Sequence, residues 1–376
     1  MKRIILLFTF LGMFSLSYAQ LTLPPSGANQ KSVVTQYIGA LASVTITYNS
    51  PDVHGPNGQD RTGQIWGQLV PYGMTALGFG LNKPAPWRAG ANENTTIEFS
   101  HDVLFQGEPI KAGKYGFFVV AKEEGPWEII LSHNHSAWGS FFYDPAEDAL
   151  RVEAAPEDNE YREWLTYEFI DRQPERCTAA LMWENIKLPF TIEVPEMTKL
   201  YAENIRHELQ NAGGFSYMAL SQAANFYAQN DLDLEQALAW AEQAVSGPFF
   251  GQRNFTTLQT KATVLDKLGR TEEAASAMDE AIKDPTATAF QIHQYGRQLI
   301  AQGKTEKALE VMQYNFERFE GAWPTHVSMA RALSAAGQYE EALKHAEKAL
   351  AQAPDPLNKQ NLEQSVEKLK NKQDMN

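Results

Sequence analysis

Small residues returning at a fixed interval constrain the second half of this chain more than any other feature. Ala237, Ala274, Ala308 and Ala342 stand 37, 34 and 34 residues apart, and seven residues after each come Ala244, Ala281, Asn315 and Ala349. Gly269, Gly303 and Gly337 keep the same 34-residue step, and Pro248, Pro285 and Pro354 close units. Such an interval suits a helical hairpin, with small side chains where two helices approach and glycine where one turns into the next. One hairpin cannot bury its own apolar face, so successive hairpins must stack into an array.

That period and those positions resemble the tetratricopeptide repeat, over residues 215–354 and about four units. The fourth unit, Ala330, Gly337, Ala342, Ala349 and Pro354, fits throughout. The first has an irregular turn, Gln229-Asn230-Asp231-Leu232-Asp233, and the third departs at Asn315. Before the array, Thr198 to Gln210 reads as an amphipathic helix ended by Asn211-Ala212-Gly213-Gly214. After it, Leu357 to Lys370 places Leu362, Val366 and Leu369 on one face and reads as the capping helix that arrays need. The resemblance implies a concave face that takes a protein or peptide partner.

From Lys31 to Val194 the dominant period is two. Ala42, Val44, Ile46 and Tyr48 alternate with polar residues, and so do Tyr115, Phe117 and Val119, Trp127, Ile129 and Leu131, and Leu165, Tyr167 and Phe169. Ile186, Leu188, Phe190, Ile192 and Val194 form the cleanest row, and Pro189 within it places that strand at a sheet edge, where a missing donor matters least. Many half-buried strands without intervening helices predict an antiparallel arrangement. The fold class is therefore α+β in two segregated parts, an N-terminal antiparallel β-sandwich (or flattened barrel) and a C-terminal all-α tetratricopeptide-like solenoid. The expected divisions are 20–195 for the sandwich, 196–214 for a linking helix, 215–356 for the repeats, and 357–376 for the capping helix and tail.

The N-terminus reads Lys2-Arg3, an apolar run from Ile4 to Leu16, then Ser17-Tyr18-Ala19. This is the pattern of a signal peptide (1–19), cleaved after Ala19, and it predicts an exported protein, periplasmic or secreted. No other stretch is apolar enough to span a bilayer, so no membrane insertion is expected after cleavage. The formal charge is −14; without Lys2 and Arg3, 30 basic side chains face 46 acidic ones, or −16. Such a surface repels phosphate backbones, which argues against a nucleic-acid partner. The single cysteine, Cys177, permits no internal disulfide and shares its face with Ala179, Leu181 and Trp183, as a buried inert thiol would.

Polar chemistry concentrates in Trp87-Arg88-Ala89-Gly90-Ala91-Asn92-Glu93-Asn94-Thr95-Thr96. Two readings stand side by side. In one, the stretch closes a structural corner, with Arg88 pairing Glu93 and Asn92 bonding its own turn. In the other, Trp87, Arg88, Asn92 and Glu93, joined by Trp138 and Tyr143 from later turns, bind a ligand. Two long connections, Pro51 to Gly63 and Met74 to Pro86, flank the stretch and read as rims of such a site. A divalent metal is the one cofactor with candidate ligands: His133 and His135, two apart on a strand, with Glu93 as a third. Glu93 is also the candidate catalytic carboxylate, with Asp144 or Asp148 as acid–base partner, although Asp144-Pro145 starts a turn and Asp148 can simply pair with Arg151. No serine-nucleophile elbow occurs, and Gly78-Phe79-Gly80 lacks the helix and lysine of a phosphate loop.

Ile65-Trp66-Gly67-Gln68-Leu69-Val70-Pro71-Tyr72-Gly73 followed by Trp87 to Glu93 resembles the signature of an exported bacterial family catalogued as domain of unknown function 2911. Ala112-Gly113-Lys114-Tyr115, Trp138-Gly139, Tyr143-Asp144 and Asp148 to Val152 resemble its later blocks, so the likeness covers residues 23–194. Here Met74 to Pro86 intervenes between blocks that usually sit almost side by side, which remodels the rim of any shared pocket. The resemblance implies the fold and export, in Bacteroidetes-like bacteria and hence the periplasm, and no activity. Two functions follow as expectations: an exported scaffold whose sandwich holds a small molecule or cell-envelope ligand, or a hydrolase-like enzyme built on Glu93 and a histidine-bound metal.

Overall fold

The computed structural model describes residues 29–376 apart from Pro56, so the expected signal peptide lies outside the described residues. The chain divides into two compact units between Lys199 and Leu200.

The first unit is built of antiparallel strands. They are β1 (Gln30–Ile38), β2 (Ala42–Ser50), β3 (Thr75–Ala76), β4 (Pro84–Ala85), β5 (Thr96–Phe99) and β6 (Val103–Phe105), then β7 (Glu108–Ile110), β8 (Gly113–Val120), β9 (Trp127–Ser132), β10 (Asp148–Ala154), β11 (Glu157–Arg172) and β12 (Arg176–Glu193). One sheet runs β1-β2-β5-β8-β9-β10, a second runs β11-β12-β6-β7, and β3 pairs β4 alone. Among the described residues the two large sheets stay separate, and no barrel closes. Their facing residues make the core: Tyr48 and Phe117 from the first sheet meet Tyr167 and Phe190 from the second.

On β2 the expected alternation is present, with Ala42, Val44, Ile46 and Tyr48 buried. On β8 it is not: every residue from Tyr115 to Val120 is buried. Its outward residues Phe118 and Val120 join Ile130, Ala85 and Tyr143, with Met74 packed against them, in a second apolar cluster. Part of the long connection Met74 to Pro86 therefore roofs the outer face of the sheet.

The expectation for Pro189 fails. β12 is internal, with β11 on one side and β6 on the other. Its ladder to β11 extends as far as Lys187, and its pairing with β6 begins at Ile192. Pro189 thus occupies a gap between two ladders, where its missing N–H leaves no acceptor bare.

The second unit is helical. α1 (Met197–Glu208) crosses the boundary, and its Ala202 and Ile205 pack on the core of the array. Four hairpins follow: α2 (Tyr217–Gln229) with α3 (Leu234–Ser246), α4 (Phe255–Lys267) with α5 (Thr271–Lys283), α6 (Ala289–Ala301) with α7 (Thr305–Arg318), and α8 (Trp323–Ala335) with α9 (Tyr339–Ala351). α10 (Pro356–Lys370) closes the series by burying Leu362, Val366 and Leu369.

The repeated glycines do one job. Gly269, Gly303 and Gly337 have φ of +75°, +73° and +74°. The next residue's N–H then reaches back to a carbonyl in the last helical turn: Arg270 to Leu265, Lys304 to Leu299, and Gln338 to Leu333, each at 2.9 Å. This is the left-handed helix stop that glycine adopts without steric penalty. In the irregular first unit Asp231 takes the position, with φ of +49°, and Leu232 reaches back to Tyr227 at 3.0 Å.

Asn315 also has a physical reason. It is wholly buried, and its amide donates to the Ala289 carbonyl at 2.9 Å and to Ser328 Oγ at 3.4 Å. The alanine of the other units is replaced by a clamp joining α7 to α6 and α8.

Candidate functional site

Trp87 pairs with Val119 of β8 through both backbone bonds at 2.9 Å, and Thr95 accepts from Phe117 at 2.7 Å. The stretch between them is an excursion from one ladder beside β8. Its turn is closed tightly. The Ala89 carbonyl accepts from Thr95 Oγ1 at 3.0 Å and from Tyr167 Oη at 2.9 Å, and Ala91 N–H donates to the Asn49 carbonyl at 3.0 Å. A Cβ on Gly90 would stand 2.7 Å from Thr95 Oγ1 and 3.1 Å from the Asn49 carbonyl oxygen, so only glycine fits.

The expected pair between Arg88 and Glu93 does not form. Glu93 is exposed and accepts from Asn49 Nδ2 at 2.7 Å. Arg88 donates from Nη1 to the Asn92 carbonyl at 2.8 Å and lies over the Phe141 ring at 5.8 Å. A Cβ on Gly139 would meet its guanidinium at 2.6 Å, so the bare glycine makes room for it. Burial lowers the Arg88 pKa, and among the described residues no carboxylate offsets that. Arg88 is thus a half-buried cation held by a carbonyl and a ring.

The other candidates separate. Trp87 is half-buried and belongs to an aromatic cluster, stacked on Trp183 at 6.0 Å and edge-on to Trp66 at 5.7 Å. Tyr143 is buried; its hydroxyl donates to Asp148 at 2.8 Å and accepts from Arg151 at 2.7 Å, and burial together with Asp148 raises its pKa. Asp148 is paired with Arg151 at 2.7 Å, as its spacing suggested, and Asp144 accepts from Ala146 N–H in a turn. Trp138 is exposed, with Phe79 and Phe142 exposed on the neighbouring segments.

β9 ends at Ser132, so His133 and His135 lie beyond it, both exposed, and the strand geometry that would have aimed both at one ion is absent. Among the described residues no three histidine, cysteine, aspartate or glutamate side chains are grouped to hold a metal. No helix among them is long and apolar enough to cross a membrane.

Two clusters escaped the sequence reading. In the connection Pro51 to Gly63, His54 Nδ1 lies 2.9 Å from Glu163 Oε2, which also accepts from Tyr161 Oη at 2.6 Å. Burial opposes the Glu163 charge, and the bonds from Tyr161 and His54 outweigh it, holding that carboxyl down to about 2. This ties the loop to β11.

The second cluster lies in the array, where α6, α8 and α10 enclose a cavity of about 220 Å³ lined by Phe290, His293, Arg297, Trp323, Val327 and Arg331 among others. Ser328 Oγ donates to the Pro324 carbonyl at 2.8 Å, so at 2.8 Å from His293 Nδ1 it accepts, and that nitrogen carries the proton. Burial, then the charges of Arg331 and Arg297, push the His293 pKa down to about 4. A signal for this cluster existed: Arg297 and Arg331 stand one 34-residue step apart and so occupy equivalent places on α6 and α8.

The model of a family described as "Protein of unknown function (DUF2911)" matches residues 29–192, and that of the tetratricopeptide repeat matches 299–362. The chain therefore carries the two regions in the order its motifs indicated. No curated protein matches it. Among solved structures it is similar to YrrB, described as a TPR protein with an unusual peptide-binding site, at 17% identity over 46% of this chain and 87% of that one, with a TM-score of 0.30. A tetratricopeptide repeat protein from Parabacteroides merdae ATCC 43184 is 17% identical over 46% of this chain and 66% of its own, with a TM-score of 0.33. MamA of AMB-1 is 13% identical over 42% and 88%, with a TM-score of 0.27.

Proposed function

We propose that this protein is an exported binding scaffold. Its helical array holds a protein or peptide segment on the inner face, and its sandwich holds a small molecule or envelope component beside Arg88. The observation that supports the first part is the cavity between α6, α8 and α10, which the side chains of the three helices line but do not fill. Repeat arrays bind by such geometry and need no chemistry. For the sandwich, support comes from Arg88, a half-buried cation over the Phe141 ring that no carboxylate among the described residues offsets. Anionic ligands suit such a place, since burying a charge without a counter-charge is unfavourable.

The test is a photo-crosslinking amino acid at the exposed Phe290, in protein expressed with its leader in the native envelope. A discrete crosslinked partner is expected. Absence of any adduct there, when a crosslinker on the outer helix α9 gives the same result, counts against the scaffold.

Division of labour between the parts is proposed on the same basis, with the sandwich at 20–195 and the repeats at 215–356. A cut between Val194 and Phe215 should give two fragments that each melt cooperatively. Two unfolded fragments in circular dichroism would place one shared core across the cut.

A further inference from the structure

We infer that the cavity between α6, α8 and α10 is a seat for the carboxylate side chain of an acidic peptide, held by Arg297 and Arg331. This deepens the scaffold reading above and rests on it.

Arg297 is exposed, and Arg331 is half-buried. Neither is ion-paired among the described residues. Arg331 Nη1 makes one contact, 3.3 Å to Asn376 Oδ1, and its Nε is buried without an acceptor. The indole N–H of Trp323 is likewise buried and unpartnered. Asp374 raises the Arg331 pKa without pairing with it, and its Oδ1 accepts from Ser334 Oγ at 2.6 Å and from Asn376 Nδ2 at 2.8 Å. A chain with a formal charge of −14 thus sets two guanidiniums in one cavity lining and, among the described residues, gives neither of them an ion pair.

Their joint charge is registered by their neighbours. After burial, it lowers the His293 pKa, and the Arg331 pKa is lowered by burial and then by Arg297, against the opposing charge of Asp374. An anion placed between the two would relieve both effects and supply acceptors for the idle donors.

Size selects the kind of anion. About 220 Å³ falls below the roughly 300–1,000 Å³ usual for whole small-molecule ligands. It suits one side chain entering from a segment laid along the inner face. Phe290, Val327 and Leu362 supply apolar wall beside the arginines, so an acidic residue next to an aliphatic one fits best.

The experiment uses the mature full chain and two probe peptides, both N-acetylated and C-amidated, one alternating leucine with glutamate and the other leucine with glutamine. Calorimetric titration should show the glutamate peptide binding on the order of tenfold more tightly. Arg297→Ala should remove most of that preference, and Arg297→Glu should reverse it. Arg297 is exposed, so both variants should keep the wild-type circular dichroism; Arg331→Lys, which retains charge but not the fork, should fall between.

Equal affinity for the two peptides, or an unchanged preference in Arg297→Glu, overturns the carboxylate assignment while leaving a peptide groove in place. Failure of both peptides to bind overturns it as well; the scaffold reading is then judged separately by crosslinking at Phe290.

Discussion

The side-chain amide of Asn49, at the end of β2, donates to the Glu93 carboxylate at 2.7 Å. This bond, and not an ion pair with Arg88, anchors the corner to the six-stranded sheet. The two charged residues should therefore behave independently. In a double-mutant cycle, Arg88→Met and Glu93→Gln should add to within about 0.5 kcal/mol. Asn49→Ala and Glu93→Ala should instead couple by about 1 kcal/mol, read from urea unfolding monitored by tryptophan fluorescence. Coupling between Arg88 and Glu93 larger than that would restore the ion pair.

Arg88 should be dispensable for stability and required for anion response. Removing a half-buried charge that has no counter-charge relieves desolvation, so Arg88→Met should melt at or above the wild-type temperature. Citrate should raise the melting temperature of the wild type and leave that of the variant unchanged. A melting temperature several degrees lower in Arg88→Met would mean that its carbonyl bond and ring contact dominate.

Acid should loosen the helical array before carboxylate protonation begins. His293 is neutral in the fold, with a pKa near 4 against 6.5 for the free side chain. The unfolded chain takes up that proton first. Stability is thus fully present above about 6.5 and falls as the pH drops from there to about 4, by ~3 kcal/mol in all. His326 and His345, whose ring nitrogens approach at 3.1 Å, are both lowered by burial and act in the same direction. The urea midpoint followed by far-ultraviolet circular dichroism should show this slope, and His293→Gln should flatten it.

The helix stops give opposite expectations at equivalent places. At Gly303 a Cβ would meet nothing within 4 Å, so Gly303→Ala carries a backbone penalty alone, about 1 kcal/mol of destabilisation. Asp231 already bears that penalty at φ of +49°, and its bond to Lys267 at 2.8 Å is exposed. Asp231→Gly should therefore stabilise by up to about 1 kcal/mol. A loss of stability would show that the Lys267 pair outweighs the backbone strain.

Sequence and structure agree where one physical rule acts alone. Alternation on β2 is legible because that strand has one buried face, and the repeat is legible because small residues and left-handed glycines recur at a fixed step. β8 is less legible, since its second face is covered by residues far away in sequence, among them Ala85 and Tyr143. The same holds for Pro189, whose place between two ladders depends on where β11 and β6 stop. The corner misled through plausible pairing: Arg88 and Glu93 are close in sequence, but the acceptor of one is a carbonyl and the donor to the other comes from Asn49. Arg297 and Arg331 stood in plain register, and what gives them meaning is that among the described residues neither is ion-paired, which only the packing shows.

Cys177, the one thiol of the chain, is 1% exposed, and burial pushes its pKa up to about 12. The native protein should accordingly be almost silent toward maleimides and disulfide reagents. A cysteine introduced at an exposed groove position could then carry a fluorophore without removing the natural one. Left unlabelled, Cys177 itself becomes a clock: its modification rate counts how often β12 opens, while the helices beyond Lys199 contain no thiol to confuse the count.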